Sequence, residues 1–209
     1  MRRLVLKRKK MTTKIELVDS WLNYEVLAWK VIRFPRALKN TADVLKNLIS
    51  DDTPGEWVGW LNENDDEIYD GFIKEVFFKD MPAEVMAHYY DVYNESCRVF
   101  SEIFGVGMYT LPVPEDDLPM KVYVKKYLTG CQSSTHVDNF IEDDTHAYTV
   151  GIYWNDDYEG GELGFPDYGI HLKPEAGDFY IFPCSHLHYG DVVTSGTKYI
   201  STDIEVYGI

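Results

Sequence analysis

The sequence predicts an α+β fold that is mainly β, with helices in the first half and an antiparallel sandwich or barrel in the second. From Leu111 onward, segments of β-forming residues alternate with Gly, Asp, Asn and Pro, and no helical period appears. Before that point, residues 80–105 repeat apolar side chains at helical spacing. The 209 residues suit one domain, and we expect a helical flank over about 11–110 and a β core over about 111–209.

Two strands and two helices are predicted in the first half. Residues 26–34 and 71–78 are rich in β-branched and aromatic side chains and predict strands, whereas the acidic stretch 51–67 is typical of a loop. A short helix ends at about Ile49, and the long helix over 80–105 has a proline near its start and a glycine at its end.

Seven strands are predicted in the second half, at residues 121–127, 147–154, 162–165, 169–172, 178–182, 188–193 and 198–207. Short strands at close spacing, without intervening helices, are typical of an antiparallel sandwich or barrel.

Charge is distributed unevenly along the chain. The net charge is −15, yet residues 1–10 hold six basic and no acidic residues, so the remainder has 14 basic against 35 acidic residues. A body that acidic repels a phosphate backbone, so we expect no nucleic-acid partner. We expect residues 1–10 to be a disordered basic leader. They lack the long apolar run of a secretory signal.

Cysteine usage and hydropathy favour a cytoplasmic protein. Cys97, Cys131 and Cys184 are odd in number and have no CxxC spacing, which argues for a reducing compartment and against a structural zinc site. No stretch approaches the roughly 18 apolar residues of a membrane helix, so we expect no membrane association.

A metal-binding pattern begins at His136. His136 and Asp138 are two residues apart, and side chains at i and i+2 of a strand point to the same face. A further histidine would complete a set of two imidazoles and one carboxylate, the set used by non-haem Fe(II) oxygenases. His186 and His188 both qualify, and the residue pattern alone does not choose between them.

Four stretches, read together, resemble the 2-oxoglutarate- and Fe(II)-dependent oxygenases, in particular the prolyl 4-hydroxylase-like branch. These stretches lie in order between about residues 120 and 207, and they are YLTGCQSSTHVDNF, VGIYWNDDYEGGELGFPD, LKPEAGDFYIFP and HLHYGDVVTSGTKY. The resemblance implies a double-stranded β-helix, or jelly-roll, core with N-terminal flanking helices, and a single oxygenase domain over residues 11–209.

The resemblance also assigns the metal ligands. Members of the family have a basic residue ten positions after the distal histidine. Lys198 is ten positions after His188 and twelve after His186. The resemblance therefore implies that His136, Asp138 and His188 bind Fe(II), with His186 as a neighbour of the site.

A binding site for 2-oxoglutarate is implied by the same resemblance. Lys198 would hold the distal carboxylate of this cosubstrate by a charge-assisted hydrogen bond, where many relatives use the bidentate grip of arginine. Tyr153 matches a tyrosine that contacts the same carboxylate, and Tyr127 matches the tyrosine nine positions before the first histidine. Thr202 lies on the strand face of Lys198. Ser133 departs from the pattern, which has an aromatic residue at that position.

The implied activity is that of a dioxygenase which uses Fe(II), 2-oxoglutarate and O2, with ascorbate as a reductant, to hydroxylate a C–H bond. Asp138 favours hydroxylation, because halogenating relatives lack this carboxylate. The branch indicates a prolyl residue in a peptide or protein as substrate. A free amino acid or another small molecule is an enzymatic alternative, and a non-catalytic cupin-like metal-binding protein is an alternative of a different class.

Five other residues receive weaker interpretations. His146 and His171 lie at predicted strand edges without an acidic or histidine partner, and we expect both to be structural. Asp191 either orients an imidazole beside the metal or belongs to a turn. Trp57 and Trp60, in the acidic loop, suit a lid over an extended substrate.

Overall fold

The computed structural model describes residues 18–52, 55–61, 69–77, 82–108, 121–138 and 147–207 of the chain. These residues contain two α-helices, α1 (Thr41–Ile49) and α2 (Ala83–Phe104), and a 3-10 turn at Pro166–Tyr168. The expectations for residues 1–10 and for His146 lie outside the described residues.

Fourteen strands make up most of the remaining described chain, which confirms a mainly β fold. They are β1 (Glu25–Ala28), β2 (Val31–Phe34), β3 (Val58–Leu61), β4 (Tyr69–Phe77), β5 (Lys121–Leu128), β6 (Ser133–His136), β7 (Ala147–Tyr153), β8 (Glu159–Gly160), β9 (Leu163–Phe165), β10 (Ile170–Leu172), β11 (Phe179–Pro183), β12 (His188–Gly190), β13 (Val193–Ser195) and β14 (Thr197–Tyr207).

The strands form antiparallel sheets that face one another. The main sheet has eight strands in the order β1-β2-β11-β7-β14-β5-β4-β3, and the small sheet has four in the order β10-β9-β12-β6. A two-stranded ribbon, β8 with β13, completes the described sheets. Because strands that are distant in sequence lie side by side, this is the two-sheet arrangement of a jelly-roll, as the sequence predicts.

Each face of the main sheet has its own core. Val150 and Ile152 of β7 point to the face that packs against α1 and α2, together with the buried side chains of those helices. Tyr153 of the same strand points to the opposite face, where it shares a second cluster with Leu163 and Phe165 of the small sheet. The second cluster lies between the two sheets, so residues of this face are the ones available to a site inside the jelly-roll.

The long helix α2 confirms the helical period of residues 80–105. Its buried side chains recur at three- and four-residue intervals, and they include Tyr89, Val92, Tyr93, Val99 and Phe100. Pro82 is the residue before the helix, and Gly105 ends it in a left-handed conformation with φ of 67°, which glycine adopts without strain. Within the described residues, neither helix has both the length and the apolar character that crossing a bilayer requires.

The structure differs from the predicted strands in two ways. Two of the predicted strands are each divided in two, and one predicted loop contains a strand. Residues 26–34 form the hairpin β1–β2, because the chain turns at Trp29 and Lys30, and the φ of Lys30 is 56°. Neither residue is a usual turn former, so the sequence predicts one strand there. The predicted loop 51–67 contains β3, which pairs with β4, and the predicted strand 188–193 is divided between β12 and β13.

A buried carboxylate, Asp178, joins the β1–β2 hairpin to the start of β11. Its side chain is fully buried, and it accepts a hydrogen bond of 2.8 Å from Nε of Arg33, whose Nη2 lies 2.7 Å away. The backbone N–H groups of Arg36 and Glu175 also donate to it, at 3.0 and 2.9 Å. The hydroxyl of Tyr180 donates at 3.2 Å. One carboxylate therefore satisfies donors from β2, from β11 and from the segments that follow β2 and precede β11.

We expect Asp178→Asn to destabilise the fold. The substitution removes the charge that Arg33 faces and places an amide among donors, so the free energy of unfolding should fall by about 3–5 kcal/mol. The matched control is Arg36→Gln, which breaks an exposed ion pair with Glu175 and should cost less than about 1 kcal/mol. Urea denaturation of both variants measures the difference, and equal losses would contradict a special role for Asp178.

Candidate metal centre and adjoining cavity

Three side chains selected from the sequence converge between the two sheets. His136 ends β6 and His188 begins β12, and the two residues face each other directly in the register of the small sheet. Asp138 follows β6, and its backbone N–H donates a hydrogen bond of 2.9 Å to the carbonyl of Cys184. The two imidazole centroids lie 4.3 Å apart, and one ligand atom from each of the three residues lies within 4.8 Å of the others.

Both imidazoles have their Nδ1 atom bound to backbone. The Nδ1 of His136 lies 2.6 Å from the carbonyl of Ser134, and that of His188 lies 3.0 Å from the carbonyl of His186. Because a carbonyl only accepts hydrogen bonds, each Nδ1 carries the proton and each Nε2 is left with its lone pair. The Nε2 atoms lie 3.3 and 3.5 Å from the two carboxylate oxygens of Asp138. Two imidazole nitrogens and a carboxylate at a common point suit Fe(II).

Asp138 is held in the ionised form that a metal ligand requires. The hydroxyl of Thr149 donates a hydrogen bond of 2.5 Å to Oδ2. Burial disfavours the charged carboxylate, but the neighbouring imidazoles of His136 and His188 and the hydrogen bond from Thr149 lower the pKa of Asp138 to about 2. Burial also lowers the pKa of His188, so that imidazole stays neutral and can act as a ligand.

His186 has a different partner. Its Nε2 lies 3.1 Å from the hydroxyl of Tyr168, and the two rings are 5.2 Å apart. The structure therefore brings His188, rather than His186, to His136 and Asp138. His186 contributes its carbonyl, which orients the ring of His188.

A cavity adjoins the three residues and extends between the sheets. Its wall includes all the residues that the sequence associates with the cosubstrate, namely Tyr127, Tyr153, Lys198 and Thr202, as well as Ser133. The register explains their proximity, because Lys198 pairs with Tyr127 across β14 and β5, and Tyr153 pairs with Ile200 across β7 and β14. Paired residues point to the same face of a sheet.

Lys198 places a buried cation at this wall. The residue is only 3% exposed, and its Nζ donates a hydrogen bond of 2.8 Å to the carbonyl of Gly161. The ammonium lies 5.4 and 5.3 Å from the ring centroids of Tyr127 and Tyr153. Among the described residues, no carboxylate approaches it within 4.0 Å. Burial, with repulsion from Lys173, lowers the pKa of Lys198 to about 8. A cation so placed is suited to binding an anion that enters the cavity.

The Gly160–Gly161 turn closes over this lysine. Both glycines have positive φ, 71° and 66°, a conformation that other residues rarely adopt. A Cβ on Gly161 would lie 3.1 Å from Cδ of Lys198 and 3.0 Å from Cε2 of Tyr158. Glycine at this position therefore lets the backbone carbonyl reach the ammonium.

Two hydroxyl groups add polar character to the same wall. Oγ1 of Thr202 is buried and has no hydrogen-bond partner among the described residues. Burial raises the pKa of Tyr153 well above its usual value, so its hydroxyl stays protonated and can donate. A buried unsatisfied hydroxyl and a buried cation on one cavity wall fit a ligand that carries oxygen acceptors. The donor set of the three residues and the polarity of the wall thus fit Fe(II) and 2-oxoglutarate.

The structure shows that two interpretations made from the sequence are wrong, one for His171 and one for Asp191. Nε2 of His171 lies 2.5 Å from Oδ2 of Asp191, so His171 does have an acidic partner and Asp191 does not orient His188. With Glu162 they form a second group of possible metal ligands. The sequence does not show this group, because it is assembled only when β9 pairs with both β10 and β12.

Trp57 does not cover the cavity. Its ring centroid lies 6.4 Å from that of Tyr199, and Nζ of Lys126 lies 4.1 Å from its ring. Tyr199 and Lys126 alternate with Lys198 and Tyr127, so they lie on the opposite face of the main sheet. The expectation of a lid is therefore wrong for Trp57, and the side chain of Trp60 lies outside the described residues.

Lys125 and Thr149 also line or support the site, although the sequence analysis did not select them for it. Their positions in the strands could have indicated this, because residues two or four positions apart in a strand share a face. Lys125 precedes Tyr127 by two residues, and Thr149 precedes Tyr153 by four, so each shares a face with a residue that was selected.

Comparison with known proteins identifies the segment that carries the site. Residues 122–203 match the family model described as the 2OG-Fe(II) oxygenase superfamily. A PKHD-type hydroxylase of Paraburkholderia xenovorans is 37% identical over 99 residues, which cover 40% of this chain and 43% of that relative. A PKHD-type hydroxylase of Pseudomonas paraeruginosa is 34% identical over 98 residues, with the same coverage. The match thus spans less than half the length of these relatives.

Solved structures agree on the fold. A viral collagen prolyl hydroxylase from Paramecium bursaria Chlorella virus-1, in complex with 2OG, superposes with a TM-score of 0.54 at 20% identity, covering 86% of this chain and 96% of that one. A Pseudomonas putida prolyl-4-hydroxylase gives 0.59 at 15% identity, covering 86% and 91%. Residues 122–203, which hold His136, Asp138, His188 and Lys198, are therefore similar to the 2OG-Fe(II) oxygenase superfamily.

Proposed function

We propose that this protein is an Fe(II)- and 2-oxoglutarate-dependent dioxygenase that hydroxylates a C–H bond of a prolyl residue in a peptide or protein. The observation that carries the proposal is the convergence of two Nε2 lone pairs and an ionised carboxylate beside a cavity that ends at a buried lysine. A protein that only stores a metal has no need for such an anion-binding group next to it.

His136, Asp138 and His188 would hold the metal. When bound, Fe(II) and 2-oxoglutarate supply the O2 chemistry that converts 2-oxoglutarate to succinate and CO2 and hydroxylates the substrate, with ascorbate keeping the iron reduced. Three protein ligands leave the other positions on the metal for cosubstrate and O2. Thr149 keeps Asp138 oriented, and the backbone carbonyls at Ser134 and His186 keep the imidazoles oriented.

The cosubstrate would be positioned by the wall of the main sheet. Lys198 binds the distal carboxylate by a charge-assisted hydrogen bond, and Tyr153 and Thr202 provide hydroxyl groups on the same face. Tyr127 shields the ammonium from water on the other side. Because β5, β7 and β14 are neighbours in the main sheet, strand pairing fixes the positions of these groups relative to one another.

A prolyl ring is suited to the apolar part of the cavity. Phe182 and Leu163 line it, and the ring of Phe182 lies 4.8 Å from that of His188, with Phe165 6.1 Å from the same imidazole. An apolar surface next to the metal favours a substrate whose reacting carbon is part of a hydrocarbon ring. The structural neighbours named above as prolyl hydroxylases support this choice of substrate.

The first test is succinate formation by the Fe(II)-loaded protein with 2-oxoglutarate, ascorbate and O2, with and without a proline-rich peptide. We expect the peptide to stimulate succinate formation. We expect His188→Ala to abolish both turnover and metal binding, because one imidazole and one carboxylate hold Fe(II) weakly. His186→Ala is the matched control and should retain both, since its carbonyl remains in place.

Each other outcome has a distinct meaning. Turnover that is lost in His186→Ala but kept in His188→Ala would mean that His186, and not His188, is the third metal ligand. Stimulation by a free amino acid or another small molecule, and not by peptides, would contradict the proposed substrate but support the proposed reaction. A folded, iron-loaded protein that neither binds 2-oxoglutarate nor forms succinate would favour a non-catalytic metal-binding protein.

The affinity for 2-oxoglutarate should fall as the pH rises. The pKa of Lys198 is lowered to about 8, and only the ammonium form binds a carboxylate, so above that pH binding must take up a proton. We expect the dissociation constant to rise about tenfold per pH unit between the pKa of the ligand-free lysine and that of the complex. Calorimetry on the Mn(II)-loaded protein measures it. Lys198→Arg stays charged and should remove this dependence, and the same slope in both proteins would contradict the role of Lys198.

A further inference from the structure

A second group of metal-ligating side chains lies on the outer face of the small sheet. Glu162 precedes β9, His171 lies in β10 and Asp191 follows β12, and one ligand atom from each lies within 4.8 Å of the others. Leu163 and Phe165 of β9 point into the cluster between the sheets, so Glu162, which alternates with them, points away from it. The group is therefore separate from the metal ligands inside the jelly-roll.

Strand pairing brings the three side chains together. His171 pairs with Gly164 across β10 and β9, and Tyr189 pairs with Gly164 across β12 and β9. The ring of Tyr189 occupies the space that a Cβ on Gly164 would fill, and it stacks on the imidazole of His171 with centroids 6.4 Å apart. The backbone N–H of Asp191 donates a hydrogen bond of 2.9 Å to the carbonyl of Glu162. The sheet thus holds the ligand residues in place, which lowers the entropic cost of binding an ion.

The two carboxylates of this group have no lysine or arginine partner within the part of the chain that the structure describes. Oδ2 of Asp191 lies 2.5 Å from Nε2 of His171, and the side chain of Glu162 has no hydrogen bond or salt bridge to a described residue. Lys173, two residues after His171, donates to two backbone carbonyls instead. Two carboxylates held close together repel each other, and a divalent cation between them relieves that repulsion.

The donor set suits a divalent transition-metal ion. One imidazole nitrogen with two carboxylates binds borderline ions such as Zn(II), whereas Ca(II) and Mg(II) favour oxygen ligands alone. The side chains of His171 and Asp191 are 53% and 43% exposed, so an ion reaches the group from solvent and keeps water at its remaining positions. The net charge of −15 attracts cations to the surface of the chain.

Two of the three ligand residues follow glycines that face Lys198. Glu162 follows Gly161, whose carbonyl accepts the hydrogen bond of 2.8 Å from Nζ of Lys198. Asp191 follows Gly190, and a Cβ on that glycine would lie 3.1 Å from the same Nζ. An ion bound to both carboxylates on the outer face would therefore join the two segments that enclose the ammonium on the inner face.

We propose that Glu162, His171 and Asp191 bind a second divalent transition-metal ion, and that this ion fastens together the two segments that enclose Lys198. The ion is structural, and it is distinct from the metal held by the ligands inside the jelly-roll. The proposal does not depend on the reaction proposed above, because its ligands, its position and its effect are all defined without turnover.

Equilibrium dialysis of the full-length, metal-free protein against Zn(II) tests the site. We expect about two equivalents of Zn(II) per chain, one at each group of ligands. His171→Gln and His188→Ala should each bind about one, because each substitution removes an imidazole from a different group, and the double variant should bind neither tightly. The matched control is Asp167→Asn, which removes an exposed carboxylate from the turn between β9 and β10 and should keep both equivalents.

Hydrogen exchange of the His188→Ala protein tests the fastening, because only the second group of ligands is complete in that variant. At a free Zn(II) concentration about ten times the dissociation constant, amide exchange in residues 160–164 and 189–193 should slow about tenfold, since opening either segment releases a ligand. Adding His171→Gln to the same protein should remove this protection.

Each of the following results would overturn the proposal. Wild-type protein that binds only about one equivalent, or His171→Gln that binds as much Zn(II) as wild type, would remove the second site. An equal loss in Asp167→Asn and His171→Gln would assign the binding to surface charge. Binding that leaves exchange unchanged in both segments would remove the fastening around Lys198. Failure of the proposed function is a different result, in which the protein neither binds 2-oxoglutarate nor forms succinate.

Discussion

The pairing of β12 with β6 is the constraint on which the candidate site depends. It sets His188 directly opposite His136, and a bulge keeps Gly190 opposite Ser133, so that two steps along β12 match three along β6. A slip of one residue would turn His188 to the outer face of the small sheet. The carbonyls two residues before each histidine then fix the rings, so the small sheet positions the ligands and also orients them.

The main sheet contributes the electrostatics of the site. Lys198, Tyr127, Tyr153 and Thr202 reach the cavity because β14, β5 and β7 are neighbours and their cavity-facing residues alternate with residues of the helix-facing core. In a chain with a net charge of −15, the main sheet thus holds the buried cation of Lys198 at the cavity wall. Under the proposed function, Lys198 acts on the bound cosubstrate at short range, whereas the surface charge acts on its approach.

Most of the site could be predicted, because its residues are either close together in the sequence or separated by the spacing that the resembling family has. Strand parity grouped His136 with Asp138, and the family spacing to Lys198 singled out His188, which the structure places beside them. Helical periodicity located α1 and α2, because it too depends only on residues that are close together in the sequence. The family resemblance was needed for the two-sheet arrangement, since strand order is not readable from short β segments alone.

Features that arise from contacts between distant strands were beyond local reasoning. The partnership of His171 with Asp191 requires β9 to lie between β10 and β12, and the position of Trp57 requires β3 to join the edge of the main sheet beside β4. The hairpin at Lys30 has no glycine or proline to signal it, and it is held by the buried Asp178 more than a hundred residues away. Lys125 was overlooked because a lysine in a strand is usually solvated.

A crystal structure of the protein with Mn(II) and 2-oxoglutarate tests the central claim most directly, because the anomalous signal locates the metal. The account predicts one Mn(II) bound by Nε2 of His136, a carboxylate oxygen of Asp138 and Nε2 of His188, with the distal carboxylate of 2-oxoglutarate on Nζ of Lys198. Mn(II) bound only at Glu162, His171 and Asp191, or 2-oxoglutarate bound without contact to Lys198, would contradict it.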